Sequence, residues 1–421
     1  MQRKILSVLL LLATIAIKSY AIDPTATKYS NEECRGSLNP YTVPTQVYEY
    51  PDSLSPIMIN HVGRHGSRFP ASATHSVTMK RALLHADSIG SITPLGKELL
   101  AIVNLVIEKS NGRWGALDSL GEAEQRGIAA RMYASYPTLF NEKNINAVSS
   151  YSPRCIMSMN SFVHQLSRMN NKVNISTKSG RNCSSLMRPF DIDEEYKTFL
   201  ADKTWEPPYK EYMEATISGT ALKRILGEEY PYSNINVKEL ALVQYYVIAG
   251  LAAMEIDCDA SKFFTTEEYN ALWSCFNLRQ YLQRTATTLS TTPAEIASFL
   301  LLDLIETTDK KIEGESSVTV NLRFGHAETL MPLFSLMHLK GCFYATNYFD
   351  TVALHWKDFY VVPMSSNLQM ILFKTKKGKY YVRFDLNEKP ISLIPNNDNI
   401  YIEWDKAREY MMHCIPMYLQ P

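Results

Sequence analysis

The chain carries the stretch Arg64-His65-Gly66-Ser67-Arg68-Phe69-Pro70 directly after an apolar run at residues 56–62. The apolar run predicts a buried strand. In open α/β sheets, ligands bind where loops leave the carboxyl ends of the strands, so His65 is expected at such an edge. Arg64 and Arg68 place two permanent cations beside the imidazole, and guanidinium groups match phosphate oxygens with paired hydrogen bonds. The stretch therefore predicts an anion site with a histidine nucleophile or base.

Nearby positive charge should also lower the pKa of His65, which keeps the imidazole neutral and able to attack at mildly acidic pH. A surface turn with incidental basic residues is the competing interpretation. The complete seven-residue stretch after a buried-type strand makes that interpretation weak.

Two more strand-like runs, at residues 147–151 and 318–324, lead into charged residues. Arg154 follows the first run, and a third guanidinium would help to neutralise a phosphoryl group if the strand ends meet. His326 and Glu328 follow the second run. Glu328 could protonate a leaving alkoxide, and His326 could donate a hydrogen bond to the same phosphate. Alone, His-Ala-Glu is more typical of an ordinary helix N-terminus, so its catalytic interpretation depends on the other two strand ends.

The remaining pattern predicts an α/β domain with a helical insertion. Further strands are predicted at residues 359–362, 370–373 and 380–384, and a last helix at residues 404–412. Residues 156–302 carry helix-like segments such as 238–254 and 294–306, with few strand-like runs.

Residues 64–70 resemble the Arg-His-Gly-x-Arg-x-Pro signature of histidine acid phosphatases, a branch of the histidine phosphatase superfamily. Most members of that branch have His-Asp where this chain has His326-Ala327-Glu328, and this triplet resembles the multiple inositol polyphosphate phosphatases. Residues 120–127, 149–155 and 186–191 are similar to other segments of that family. The resemblance spans residues 56–333.

The resemblance implies that His65 becomes phosphorylated and that Glu328 protonates the leaving oxygen and later activates water. The residues implied to hold the transferred group are Arg64, Arg68, Arg154 and His326. Arg188, in the insertion, is predicted to be an accessory cation, although an ordinary surface arginine fits the pattern equally well. The implied substrates are inositol hexakisphosphate (phytate) and its lower phosphates. Because the acid lies one residue further on than in the His-Asp enzymes, a mixture of products is expected.

The implied fold is a phosphoglycerate-mutase-like, histidine acid phosphatase α/β domain formed by residues 22–155 and 303–421. A helical cap domain, residues 156–302, is inserted in it. Residues 1–21 predict a cleaved signal peptide, because Arg3 and Lys4 precede an apolar stretch at residues 5–17 and a small-residue ending at Ala21. That stretch is shorter than the roughly 20 residues that span a bilayer. The protein is therefore expected to be exported, either to the periplasm or outside the cell.

Composition gives no sign of other partners. Lys plus Arg equal Asp plus Glu at 43 each, which removes a global electrostatic argument for nucleic acid or a membrane surface. No later run has membrane length, and no obligate protein partner is evident. The seven cysteines are an odd number, so at least one thiol is expected to stay unpaired or to pair with another chain.

Three other classes of protein are alternative interpretations of the sequence. A metal-dependent phosphatase would need a ligand pattern such as H-E-x-x-H, paired aspartates or a Cys/His array, and the sequence predicts neither a metal nor a cofactor. A mutase or a phosphatase for small monoesters shares the Arg-His-Gly chemistry; the insertion and the signal argue against the mutase, and the small-substrate phosphatase stays open. A binding protein without catalysis should lack His65 or Glu328, and both are present.

Overall fold

The computed structural model describes residues 28–420, so the predicted signal peptide, residues 1–21, lies outside the described residues. The strands of this part form one mixed sheet. Their bounds are β1 Leu54–Arg64, β2 Asn144–Ser149, β3 Asn174–Ser179, β4 Val318–Gly325, β5 Asn367–Thr375, β6 Tyr380–Leu386, β7 Lys389–Ile391 and β8 Ile402–Glu403.

Helices cover both faces of the sheet. The α-helices are α1 Thr74–Ser88, α2 Pro94–Ser110, α3 Ser119–Ser135, α4 Pro153–Met169, α5 Ser184–Met187, α6 Pro189–Ile192, α7 Glu194–Asp202, α8 Glu206–Thr216, α9 Thr220–Leu226, α10 Val237–Ala249, α11 Thr266–Arg284, α12 Thr292–Glu295, α13 Ser298–Ile312, α14 Ala327–Leu336, α15 Val352–His355, α16 Asp358–Val361 and α17 Trp404–Cys414. Short 3-10 helices lie between them, among them Glu33–Leu38 and Ala252–Met254.

The strand order brings three carboxyl ends to one edge. The order is β3-β2-β4-β1-β5-β6-β7, with β8 beside β6. The first four strands in this order are parallel, and the rest pair antiparallel. In the register, Gly325 of β4 lies opposite Arg64 of β1, and Phe324 lies opposite Ser149 of β2. The segments that follow β1, β2 and β4 therefore leave the sheet side by side.

Alternation along the strands divides the core into two layers. Met58 and Val62 of β1 pack with the larger layer, which holds α1, α2, α10, α11, α13 and α14. Ile59, between them, packs with the smaller layer under α3 and α4. Successive side chains of a strand point to opposite faces, and because helices cover both faces, β1 is buried almost throughout. His61 of β1 lies in the smaller layer between the rings of Phe162 and Phe324.

Most predicted strands are confirmed and one is wrong. The runs at residues 56–62, 147–151, 318–324, 370–373 and 380–384 fall on or overlap β1, β2, β4, β5 and β6. Residues 359–362 are not a strand, because α16 and its C-terminal residue occupy them. The buried Asp358 carboxylate accepts hydrogen bonds from the backbone N–H of Ser37 and the indole of Trp273, which fixes this turn among helices.

The predicted helices exist with different bounds. Residues 238–254 form α10 and then a separate 3-10 turn, and residues 294–306 are divided between α12 and α13. The predicted last helix is α17. The segment 156–302 also contains β3, which pairs with β2 and extends the sheet. The domain boundaries at residues 155 and 303 stay a prediction.

Three further features concern the described part of the chain. No helix within residues 28–420 combines the length and the apolar character that crossing a membrane requires. Across the same residues, each of the seven cysteines is a free thiol. Nowhere in that part do three or more His, Cys, Asp or Glu side chains group as metal ligands would.

Candidate active site

His65 lies immediately after β1 and is buried. Its backbone N–H donates to the carbonyl of Gly325 at the end of β4 (3.1 Å), which ties the two strand ends together. Its ring Nδ1 lies 2.9 Å from the carbonyl oxygen of Gly66. A carbonyl oxygen can only accept a hydrogen bond, so Nδ1 carries the proton of the neutral ring. The lone pair of Nε2 is then the one available for attack.

The imidazole of His65 is held neutral. Burial lowers its pKa well below the usual value, and the guanidinium groups of Arg154, Arg64 and Arg68, followed by His326, lower it further. Nearby cations were the cause predicted from the sequence, whereas burial is the larger cause. A neutral ring retains the lone pair that a nucleophile needs.

Arg64, Arg68 and Arg154 line one cavity with His65. Arg64 donates through Nη1 to the carbonyls of Ser37 (2.7 Å) and Val362 (2.6 Å). Arg68 donates through Nη1 to the carbonyl of its neighbour Phe69 (2.8 Å).

Each of these three arginines keeps a buried Nε with no hydrogen-bond partner within residues 28–420. Burial, followed by repulsion from Arg154, lowers the pKa of Arg68 to about 9, and burial lowers that of Arg64 to about 10. Buried donors without partners are costly, and an oxyanion would satisfy them. The cluster is therefore suited to bind an anion such as phosphate.

His326 precedes α14 and lies among donors. Its ring Nδ1 is 3.1 Å from Nη2 of Arg154, and its Nε2 is 2.7 Å from Nη1 of Arg188 and 2.9 Å from the hydroxyl of Ser150. Burial and then Arg154 lower the pKa of His326 to about 3, so the ring is neutral. A neutral imidazole has one acceptor nitrogen, while guanidinium groups only donate. One of the two arginine contacts therefore lacks an acceptor, which a phosphate oxygen would supply.

Arg188 belongs to the part of the chain that was predicted to be inserted, and the structure places it beside His326. Its Nε donates to Asp191 (2.6 Å), and its guanidinium lies over the rings of Tyr151 (4.7 Å) and Phe190 (4.9 Å). These contacts hold the side chain toward the strand ends rather than toward solvent.

Glu328, the second residue of α14, lines the same cavity as His65. Its Oε1 accepts a hydrogen bond from Nη2 of Arg284, at the end of α11 (3.1 Å). Burial alone would raise the pKa of Glu328, but Arg284, then His326, hold it well below its usual range. These contacts favour the carboxylate form of Glu328, whereas a general acid must carry a proton. Arg284 was not singled out from the sequence.

Helix α3 holds the loop that carries His65. The carboxylate of Glu124 accepts hydrogen bonds from the backbone N–H (2.8 Å) and the hydroxyl (2.7 Å) of Ser67, and from the hydroxyl of Ser365 (2.8 Å). The amide of Gln125 donates to the carbonyl of Arg64 (2.9 Å). Residues 120–127 were singled out from the sequence only as part of a resemblance, and no role was predicted for Glu124 or Gln125.

The loop and α3 approach each other through two glycines. A Cβ atom on Gly66 would clash with the backbone of Gly121, and a Cβ atom on Gly121 would clash with the carbonyl of Ser67. This close contact leaves no room for a side chain at either position. It presses the helix against the loop that Glu124 and Gln125 hold.

The wall of the cavity formed by the predicted insertion is largely apolar. It is formed by residues such as Val247, Met254 and Phe276. At its edge His75 of α1 stacks on Tyr246 of α10, with ring centroids 4.3 Å apart. The cations that line the cavity with His65, namely Arg64, Arg68 and Arg154, lie at the strand ends instead.

Comparisons with known proteins show which family the sequence matches. The sequence model described as "Histidine phosphatase superfamily (branch 2)" matches residues 57–387. Multiple inositol polyphosphate phosphatase 1 of Gallus gallus is 26% identical over 384 residues, covering 86% of this chain and 82% of the relative. The protein of the same name from Homo sapiens is 24% identical over 391 residues, covering 85% of this chain and 79% of the relative.

A solved structure is also similar. It is the multiple inositol polyphosphate phosphatase of Bifidobacterium longum in complex with inositol hexasulfate, with a TM-score of 0.76 and 17% identity. The match covers 92% of this chain and 99% of that chain. At this identity the likeness concerns the fold alone, and it confirms the predicted fold class.

The glycine contact generates a prediction. Gly121→Ala should lower the free energy of unfolding by about 1–3 kcal/mol, because a Cβ atom there forces α3 away from the loop of Ser67. Hydrolysis of an aryl phosphate should fall with it, since the loop carries His65. Urea unfolding and steady-state kinetics measure the two effects.

Gly127→Ala on the same helix is the matched control. The nearest atom to its Cβ is the end of the Arg131 side chain, at 3.0 Å. Alanine there should leave activity unchanged and be neutral or add about 0.5–1 kcal/mol of stability. Equal losses in the two variants would show that the contact between α3 and the loop has no special role.

Proposed function

The chain belongs to branch 2 of the histidine phosphatase superfamily, and from this premise we propose that it hydrolyses inositol polyphosphates, namely phytate and its lower phosphates. The observation that carries the proposal is the cavity in which three arginines lie around the neutral imidazole of His65, each with a buried Nε that lacks a hydrogen-bond partner within residues 28–420. Such an arrangement supplies a nucleophile together with the positive charge that phosphoryl transfer requires.

The first chemical step forms a bond between Nε2 of His65 and phosphorus. The bond between phosphorus and the ester oxygen breaks in line with it, and that oxygen takes a proton from Glu328. The proton stays on Nδ1 of His65 and keeps its hydrogen bond to the carbonyl of Gly66, and this bond orients the ring in both steps. Arg64, Arg68, Arg154 and His326 hold the oxygens of the transferred group.

The second step returns the enzyme to its starting state. The Glu328 carboxylate accepts a proton from water as the water oxygen bonds to phosphorus and the bond to His65 breaks. Inorganic phosphate leaves, and Glu328 gives up this proton to solvent as it pairs with Arg284 again. The same residue thus acts first as acid and then as base, as microscopic reversibility requires.

A multiply phosphorylated substrate suits the cations beyond the reacting group. Arg188 and Arg284 lie at the rim of the cluster, each beside a residue of the proposed machinery. The relatives named for inositol polyphosphates support this choice of substrate. A mixture of partly dephosphorylated products remains the expectation for an acid at Glu328.

The nucleophile can be tested by His65→Ala. Wild type should release phosphate from phytate, and the variant should still bind phytate while its release falls by at least about a thousandfold. Isothermal titration measures the binding, and a phosphate assay measures the release. His164→Ala, an exposed change on α4, should have no effect.

The intermediate itself gives a second measurement for the same experiment. Wild type quenched during turnover should carry phosphate that is labile to acid and stable to base, as a phosphoramidate is. Unchanged release by His65→Ala, or a quenched enzyme free of bound phosphate, would remove His65 from the mechanism.

A phosphatase for small monoesters is the second candidate. The apolar wall around Val247, Met254 and Phe276 favours it, because an aryl or alkyl group would pack there. A higher kcat/KM for p-nitrophenyl phosphate than for phytate would support this candidate over the first one.

The proton donor can be tested by Glu328→Gln. Hydrolysis of inositol phosphates should slow by about 10²–10⁴-fold, because a poor alkoxide leaving group depends on a proton. Hydrolysis of p-nitrophenyl phosphate, whose leaving group needs none, should slow much less. Glu306→Gln, on the exposed side of α13, is the matched control. A uniform loss on both substrates would contradict the role of Glu328 as acid.

Export belongs to the proposal as well. Its support is the sequence of residues 1–21, in which two basic residues, an apolar stretch and a small-residue ending follow one another. Sequencing the N-terminus of the mature protein from its native host should give Ile22 as the first residue. A mature chain that retains Met1 would refute cleavage.

A further inference from the structure

Arg284 is the one basic side chain within residues 28–420 that forms an ion pair with Glu328. The contact is a single hydrogen bond of 3.1 Å. The other partners of the guanidinium are the neutral amides of Gln280 and Gln283, on its own helix, and its Nε is buried without a partner. Glu328 is therefore the one charged partner of Arg284 within residues 28–420, and a single hydrogen bond joins the two side chains.

This ion pair conflicts with the role of Glu328. A proton donor must be protonated when the ester bond breaks, yet an arginine in contact with a carboxylate favours the ionised form. The other groups that face Glu328 come from different parts of the fold: His326 just before α14, Arg64 at the end of β1, Arg68 in the following loop, Cys155 on α4 and Tyr196 on α7. Among the cations of residues 28–420, Arg284 is the one that contacts Glu328. Its position therefore affects the protonation state of Glu328 most directly.

We propose that Arg284 binds a second, non-reacting phosphate of the substrate, and that its transfer from Glu328 to this phosphate allows Glu328 to become the proton donor. The proposal rests on the function proposed above. It assigns to Arg284 the task of recognising that the substrate carries more than one phosphate.

The geometry supports such an exchange. The side chain of Arg284 is 19% exposed and that of Glu328 34% exposed, so both are partly open to solvent, and Glu328 also lines the cavity that contains His65. A phosphate offers a guanidinium two parallel hydrogen bonds and up to two negative charges, against one bond and one charge from Glu328. Only one hydrogen bond has to break.

The proton has a source in the same event. The second proton of a phosphate monoester dissociates near pH 6, so phosphates carry it in mildly acidic solution. A phosphate that binds Arg284 as the dianion gives up that proton, and Glu328, released from Arg284, accepts it. The ester oxygen then receives this proton as the bond to phosphorus breaks. Proton and charge are balanced without any further reactant.

A substrate with one phosphate would leave Arg284 on Glu328. The selectivity should therefore appear in kcat as well as in KM, which distinguishes it from simple attraction between a polyanion and a basic surface. Two substrates with the same type of leaving group, phytate and an inositol monophosphate, allow this comparison.

The test is Arg284→Gln, with kcat and KM measured from pH 4 to 8 on both substrates. The pH dependence of kcat reports groups in the enzyme–substrate complex. For wild type, the alkaline fall of kcat should lie at lower pH with the monophosphate than with phytate. In the variant, the alkaline fall of kcat on the monophosphate should move to higher pH, because Glu328 is no longer paired with Arg284. If the pKa of Glu328 rises by one unit, kcat on this substrate near pH 6 should rise by about tenfold.

On phytate the same variant should behave differently. Its KM should rise by about tenfold or more, because a charge-assisted hydrogen bond to phosphate is lost, and the pH at which kcat falls should stay in place. Arg284→Lys keeps the positive charge but lacks the paired N–H donors of a guanidinium group, so it should retain part of the preference for phytate. Arg168→Gln, an exposed change on α4, is the control and should leave both substrates unaffected.

The outcomes separate the two proposals. Equal losses of kcat on both substrates, with no movement of the pH profile, would show that Arg284 only supports the structure and would overturn this inference while the proposed function stands. Failure of wild type to hydrolyse either inositol phosphate would refute the proposed function instead. If Arg284→Gln does not fold, Arg284→Lys carries the test, with smaller shifts expected in the same directions and the same overturning result.

Discussion

The site depends on positive charges that are concentrated around the nucleophile His65. Arg64, Arg68 and Arg154 repel one another across one cavity, and the lowered pKa values of Arg64 and Arg68 reflect burial as well as this repulsion. Such an arrangement persists only if the rest of the fold over-determines it. The parallel pairing of β1, β2 and β4 fixes the three strand ends, and backbone carbonyls rather than carboxylates satisfy part of Arg64. The carboxylate nearest the nucleophile loop, Glu124, is used by backbone and hydroxyl donors.

Much of the site could be predicted because parallel strands put their carboxyl ends at one edge. Three apolar runs that end in charged residues were enough to bring His65, Arg154 and His326 together, and the structure brings Arg188 to the same place. The roles of Glu124 and Arg284 were not predicted, because both residues act through contacts between segments that are distant in the sequence. Nothing in the local sequence of α3 or α11 distinguishes Glu124 or Arg284 from the other charged residues of the same helix.

The errors in the fold have similar causes. Residues 359–362 are four apolar residues, and a run this short fits a buried helical turn as well as a strand. Strand β3 has the sequence Asn-Ile-Ser-Thr-Lys-Ser and is mostly exposed at the edge of the sheet, so it lacks the apolar pattern that reveals a strand. Edge strands are often polar because an apolar edge invites aggregation. Both segments acquire their conformation from tertiary partners.

The two carbonyls that hold Arg64 come from opposite ends of the chain. Ser37 precedes Arg64 by 27 residues, and Val362 follows it by 298 residues. A growing polypeptide thus contains the nucleophile motif and Ser37 long before it contains Val362, the second residue whose carbonyl orients the motif's first arginine. The complete set of contacts that orient Arg64 can therefore form only after most of the chain has been synthesised.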